Sequence, residues 1–254
     1  MVKKDTADNQ QTMTILHHLE ELRKVIIVSV VAVLVAGIIS FVFIEQILAV
    51  ITRPLEAQDI NLVVTAITEG IFIKFKIAIL AGTILAAPII IWQIWRFIVP
   101  ALYPHEKRYL TILIPVSVFL FISGVLFAYF TVFPLAVFVL IQLASEFEPM
   151  LTVSKYLSFT LAFLIPFGLV FELPLVVYFL TSIGVITPEW LQRNRKYAIV
   201  ITVILAAVLT PGPDPISQMI MAAPMVILYE AGVLVSKVVM KKRRKRQEAA
   251  GEEC

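Results

Sequence analysis

Two short acidic motifs stand at the edges of long apolar runs, HLEELRK at His18 to Lys24 and ALYPHEKR at Ala101 to Arg108. Each sets a carboxylate, Glu21 or Glu106, beside basic residues, at a position where a membrane-embedded chain ordinarily shows positive charge. A carboxylate accepts two parallel hydrogen bonds from a planar guanidinium, each charge-assisted bond contributing about 1.5 to 3 kcal/mol. The chemistry on offer is recognition of a cation. Glu20 and Glu21 are adjacent and on a helix point roughly 100° apart, so the two cannot both face one site. Taken alone, Glu21 can also pair with Arg23, Lys24 or Lys107, and Glu106 with Lys107 or Arg108. A third carboxylate, Glu172, lies deep in an apolar run between Phe171 and Leu173. An ionisable group there costs about 2.5 to 3.5 kcal/mol on insertion scales and turns toward protein or water.

The elements that must position these groups are membrane spans. Of the 254 residues, 60% are hydrophobic and only 15% charged, with a mean hydropathy of +0.94, whereas a soluble domain carries about 25% charge. Charge-free stretches of about 20 residues, enough to cross roughly 30 Å of hydrocarbon, locate the spans. They are Val25 to Ile44, Ile77 to Trp95, Tyr109 to about Phe133, Tyr156 to about Leu180, Tyr197 to Leu209, and Ile216 to about Ser236. The second begins earlier if Lys74 and Lys76 snorkel to the surface. Tyr109 to Ser145 has no charge over 37 residues, too long for one span at about 1.5 Å per residue. Pro134 is therefore expected to bend the chain into an interfacial segment that ends at Glu146 to Met150. The fifth span reaches only about 20 Å, so the bilayer thins there or flanking residues snorkel. Pro166 and Pro174 bracket Glu172 and predict a kinked helix with a polar concavity. TPGPDP at Thr210 to Pro215 separates the last two spans.

Seventeen of the 21 Lys and Arg residues fall in the tail to Lys24, the loops 96–108 and 181–196, and the tail from Lys237. This bias places both termini in the cytoplasm and requires an even number of spans. The expected domain is a single six-span unit, 1–254, with a cytoplasmic lead-in, 1–24, and a basic tail, 237–254. The run KKRRKR at Lys241 to Arg246 reads as an anchor on anionic membrane lipid, with no nucleic acid as partner. Trp92, Trp95 and Trp190 read as an interface belt. The single cysteine, Cys254, gives no disulfide framework, CxxC motif or prenylation box. His17 and His18 have no further ligands at metal spacing. With no HExxH motif, no nucleophile and base, and no glycine-rich phosphate loop, the chain reads as no enzyme, with no catalytic residue, cofactor or metal. The apolar run after the polar first 23 residues shows no cleavage signal and reads as a retained span.

HLEELRK, RPL at Arg53 to Leu55, AAPIIIWQIWRFIVPALYPHEKR at Ala86 to Arg108, FAYFTVFPLA at Phe127 to Ala136, YLSF at Tyr156, FELP at Phe171 and LTPGPDPISQ at Leu209 to Gln218 occur in this order. In these stretches the chain resembles the TatC family, the multispanning subunit of the twin-arginine protein translocase. The resemblance runs over nearly the whole length and implies an all-α membrane protein of six transmembrane helices with both termini inside. Several helices would be proline-kinked, the fifth and sixth spans short, and the bundle concave and cup-like. It implies a receptor for signal peptides carrying two consecutive arginines, exporting folded proteins across the cytoplasmic membrane of a prokaryote with energy from the proton-motive force.

On the same footing the family motif selects Glu21, which with Glu106 binds the arginine pair, and Phe97 and Tyr103 shape that surface. Glu172 is expected to contact the small single-span TatA/TatB-type subunits. Asp214, Gln218 and Tyr129 match polar family positions, though Asp214 can equally cap the helix that follows. Pro54 and Pro88 match as well, with structural explanations as good. A homo-oligomer within the complex is implied. Two departures stand out: Val25 replaces a basic residue common in the family, and TPGPDP is longer than the usual outer loop. The alternative is a polytopic secondary transporter with Glu172 as an intramembrane proton or substrate site. Such a protein is expected to pair interrupted helices in two related halves, a repeat this sequence lacks.

Overall fold

The computed structural model describes residues 3–56, 62–66, 68–102, 108–143, 151–210 and 214–252. Among the described residues the secondary structure is helical apart from one short strand pair. In order come α1 (Lys3–Val42), α2 (Ile44–Glu56), β1 (Leu62–Val63), α3 (Glu69–Leu102), α4 (Arg108–Phe127), a π-helical turn (Ala128–Val132), α5 (Phe133–Leu143), β2 (Leu151–Thr152), α6 (Val153–Val170), α7 (Leu173–Ser182), α8 (Pro188–Arg193), α9 (Arg195–Leu209) and α10 (Pro215–Glu252). β1 and β2 pair in parallel, Leu62 opposite Leu151 and Val63 opposite Thr152.

Among the described residues five stretches are long and apolar enough to cross a membrane: Leu19–Val42, Glu69–Ile98, Ile112–Leu143, Val153–Ser182 and Pro215–Lys245. α9, the expected fifth span, has 15 residues, or about 22 Å, and falls short of the hydrocarbon thickness. Two expectations are corrected. The third span does not end near Phe133, because the helix passes through the π turn and continues to Leu143. The sixth is not short: α10 runs for 38 residues and carries the basic tail as helix. Between the first and second spans the sequence also forms α2, whose buried Ile44, Ile51 and Leu55 fall on one face.

The chain falls into two compact units, Met1–Ile47 with Ile77–Val118 and Leu48–Lys76 with Phe119–Cys254. In the first, α1 exposes Ile26, Val30, Leu34, Ile38 and Val42, an apolar surface suited to lipid. A methyl group at Gly82 of α3 would stand 2.7 Å from the Gly37 nitrogen and 2.8 Å from its Cα. Only glycine lets the α1 and α3 backbones approach this closely, the small-residue contact that drives helix association in lipid. Trp95 is buried, and its indole N–H donates to Ser117 Oγ at 2.9 Å. It fastens α3 to α4 and leaves the interface belt to Trp92 and Trp190, both 55% exposed.

The core of the second unit is an aromatic ladder on α6. Ring centroids of Phe159 and Phe163 lie 4.7 Å apart, and Phe133 of α5 stands 5.5 Å from Tyr156 and 5.8 Å from Phe159. Phe133, Phe163 and Phe167 are fully buried. α7 and α10 are joined by a buried hydroxyl pair, Thr181 Oγ1 and Ser236 Oγ, at 2.8 Å.

Gly82→Ala is expected to cost about 1 to 3 kcal/mol by overpacking. A thermal unfolding midpoint in detergent equal to that of the parent protein would contradict the Gly37 contact.

Candidate functional site

Of the four residues expected at the cytoplasmic surface, two are described. Glu21 is exposed near the start of the apolar part of α1, and Phe97 is half-buried near the end of α3; both belong to the first unit. Glu106 and Tyr103 lie outside the described residues.

Pro54 and Tyr129 come together. Pro54 lies inside α2 and has no N–H to give to the carbonyl of Val50, four residues earlier. The Tyr129 hydroxyl donates to that carbonyl at 2.6 Å, and the buried Tyr156 hydroxyl donates to the next, Ile51 O, at 2.7 Å. Tyr129 belongs to the π turn and Tyr156 to α6, so two elements meet the carbonyls of a third. Pro88 lies exposed within α3, which runs on through it.

Glu172 marks an interruption. Pro174 cannot bond back to Val170, and the ladder tightens, with Glu172 N–H donating to Leu169 O at 3.1 Å, three residues back. It restarts from the Glu172 carbonyl, which accepts from Leu175 and Val176 at 3.0 and 2.9 Å. Pro166, by contrast, is accommodated inside α6. The Glu172 side chain is half-buried at this joint.

A second polar cluster gathers where α3 and α6 begin. Glu69 is buried; its Oε2 accepts from the Thr65 N–H at 2.7 Å and hydroxyl at 3.0 Å, and its Oε1 from the Ser154 N–H at 3.1 Å. Ser154 N–H is one of the orphan donors of the first turn of α6, so a carboxylate from another helix caps it and complements its dipole. One helical face further along α3, the Lys76 ammonium donates to Ser154 Oγ at 2.8 Å, Ser158 Oγ at 2.9 Å and Ser154 O at 3.3 Å. Lys76 is thus held by protein, not snorkelling to the surface.

Asp214 Oδ1 accepts from the Ser217 N–H at 2.6 Å and caps α10. Asp214 also lines, with Lys155, Tyr156 and Phe159, a cavity of about 450 Å³. Gln218 donates to Val203 O at 2.9 Å, tying α10 to α9. Glu230 pairs with Arg195 at 2.6 Å, and both are about two-fifths exposed, so the bond fastens weakly.

Sequence reasoning missed Glu69 and the serines. The available signal was the seven-residue spacing of Glu69 and Lys76, which puts both on one helical face. It was hidden because a charge near a span edge ordinarily turns to water.

The family model described as Sec-independent protein translocase protein (TatC) matches residues 17–224. A protein of this description from Carboxydothermus hydrogenoformans is 49% identical over 231 residues, covering 91% of this chain and 95% of its own. The Sec-independent protein translocase protein TatC of Escherichia coli (strain K12) is 38% identical over 243 residues, covering 94% of each. The crystal structure of a twin-arginine translocase receptor, TatC, superposes with a TM-score of 0.82 at 40% identity, covering 88% of this chain and 99% of that one.

Tyr129→Phe is expected to cost about 1 kcal/mol of unfolding free energy by stranding the Val50 carbonyl. Pro54→Ala restores a backbone donor to that carbonyl, so in its background the same tyrosine change should cost clearly less. Equal costs in a double-mutant cycle would show that the hydroxyl does not replace the proline's missing bond.

Proposed function

This chain belongs to the TatC family of Sec-independent protein translocase proteins, and we propose that it is the multispanning receptor subunit of a twin-arginine translocase in a prokaryotic cytoplasmic membrane. The observation that carries this reading is the place of the acidic motifs. The family match at residues 17–224 takes in both of them, and Glu21 stands exposed where the span Leu19–Val42 begins.

In this reading Glu21 and Glu106 accept the two guanidinium groups of a twin-arginine signal peptide, with Phe97 and Tyr103 shaping the surface around them. Planar guanidinium forks engage carboxylates through paired hydrogen bonds, whereas a lysine ammonium presents a point charge, which favours arginines over lysines. α9 serves as a short fifth span, giving six spans with both termini in the cytoplasm, in keeping with the distribution of Lys and Arg. Glu172, at the joint between α6 and α7, contacts single-span TatA/TatB-type subunits. An interrupted ladder supports this role, because a partner helix can approach where the chain departs from a regular cylinder. Several copies assemble with those subunits, and the proton-motive force drives passage of folded cargo.

Photocrosslinking to a twin-arginine signal peptide tests the receptor site: Glu21→Ala or Glu106→Ala should leave the protein inserted yet abolish the crosslink, and a peptide with two lysines should behave as the variants do. Undiminished crosslinking in the double variant would sink the assignment. Glu172→Ala should change co-purification with the single-span subunits and spare signal-peptide crosslinking. Normal assembly and transport in that variant would remove Glu172 from the partner interface.

A further inference from the structure

Beyond the apolar part of α10 the same helix continues into its basic segment. Lys237, Lys241, Arg244 and Lys245 follow at intervals of four, three and one, one stripe of a helix. This stripe faces α8, and with Pro188 and Gln192 it lines a groove of about 370 Å³. Two carboxylates also line it, Glu189 and Glu248, so four cations face two anions.

One of the two carboxylates is already engaged. Hydrogen bonds from its own backbone N–H and the Thr187 hydroxyl hold the Glu189 carboxyl below the usual range, with Arg244 adding to the effect. Thr187 is the N-cap of α8 and accepts from the Trp190 N–H at 3.3 Å, so this carboxylate is drawn to the start of its own helix. The groove is left with an excess of positive charge. Its level in the membrane is marked by two features. Lys237 directly follows the buried Ser236, and Trp190 of α8 is 55% exposed, as aromatic side chains are at the bilayer interface.

We propose that this groove binds the phosphate headgroup of an anionic phospholipid. A phosphodiester supplies the negative charge the stripe lacks, and lysine and arginine meet phosphate through charge-assisted hydrogen bonds. The lipid's acyl chains extend along the apolar part of α10, where Leu234 and Val238 are exposed. The basic tail thereby becomes a discrete receptor for one lipid, in addition to a diffuse anchor. That the lipid comes from the cytoplasmic leaflet rests on the topology proposed above; the binding itself does not.

The test is native mass spectrometry of the purified full-length protein in detergent, titrated separately with dioleoylphosphatidylglycerol and dioleoylphosphatidylcholine. The parent protein should retain the anionic lipid at least about tenfold better. Lys241→Ala with Arg244→Ala should remove that preference, at about fivefold per cation, and a charge-matched control, Lys196→Ala with Lys242→Ala, should keep it. Glu189→Gln, which removes a competing anion, should tighten binding. Equal losses in the two double variants would reduce the effect to diffuse surface charge, and equal retention of the two lipids would overturn the proposal. Full displacement by inorganic phosphate would make the groove a free-anion site and overturn the lipid assignment. Signal-peptide crosslinking on the same preparations reads the receptor function separately, so that its loss beside intact lipid retention would count against that function alone.

Discussion

A backbone carbonyl that loses its helical donor costs free energy unless another group meets it, and the second unit is arranged around how such carbonyls are met. Pro54 orphans Val50 O, and the unit answers with Tyr129, while Tyr156 takes the neighbouring Ile51 O. These two bonds need the π turn and α6 to stand beside α2, and the same Tyr156 ring packs 5.5 Å from Phe133, the centre of the aromatic ladder. The hydrogen bonds and the apolar core are therefore one construction. At Pro174 the solution is local instead: the chain tightens at Glu172 and starts a new helix.

Charge is handled by the same rule in two different ways. Glu69 and Lys76 lie in or beside a span and are held by fixed donors and acceptors on Thr65, Ser154 and Ser158. Each therefore meets a counterpart that substitutes for solvent. Lys237 and the run Lys241 to Lys245 on α10 are exposed. The first set fastens the ends of α3 and α6; the second remains available to something outside the chain.

Much of this was legible in the residues. Long charge-free runs announced the helices because the cost of an unpaired charge in lipid is large and one-sided, and Asp214 before Pro215 announced a cap that the structure contains. Pro174 beside Glu172 likewise pointed to the interruption found there. What stayed hidden depends on partners distant in sequence. Nothing in Trp95 says that Ser117 awaits it, and nothing near Glu69 says that the first turn of α6 supplies its donor. α2 was not read from the sequence, although its apolar positions recur on one helical face. At the two acidic motifs, Glu21 and Phe97 have places in the structure, and the expectation that Glu21 works together with Glu106 rests on the family resemblance alone.

The π turn at Ala128–Val132 acts on phase. A wider turn takes up roughly one residue more than an α turn, and everything after it is rotated by about 100° from where an unbroken α-helix would put it. Before it, Phe121, Val125 and Ala128 face inward; after it, Val132, Phe133, Ala136 and Val137 do, while Phe130 is 70% exposed. The five residues thus decide which stripe of the following eleven, Phe133–Leu143, meets lipid and which meets protein. Removing a single residue there would swing the protein-facing stripe about 100° around the helix, toward lipid, without altering its composition.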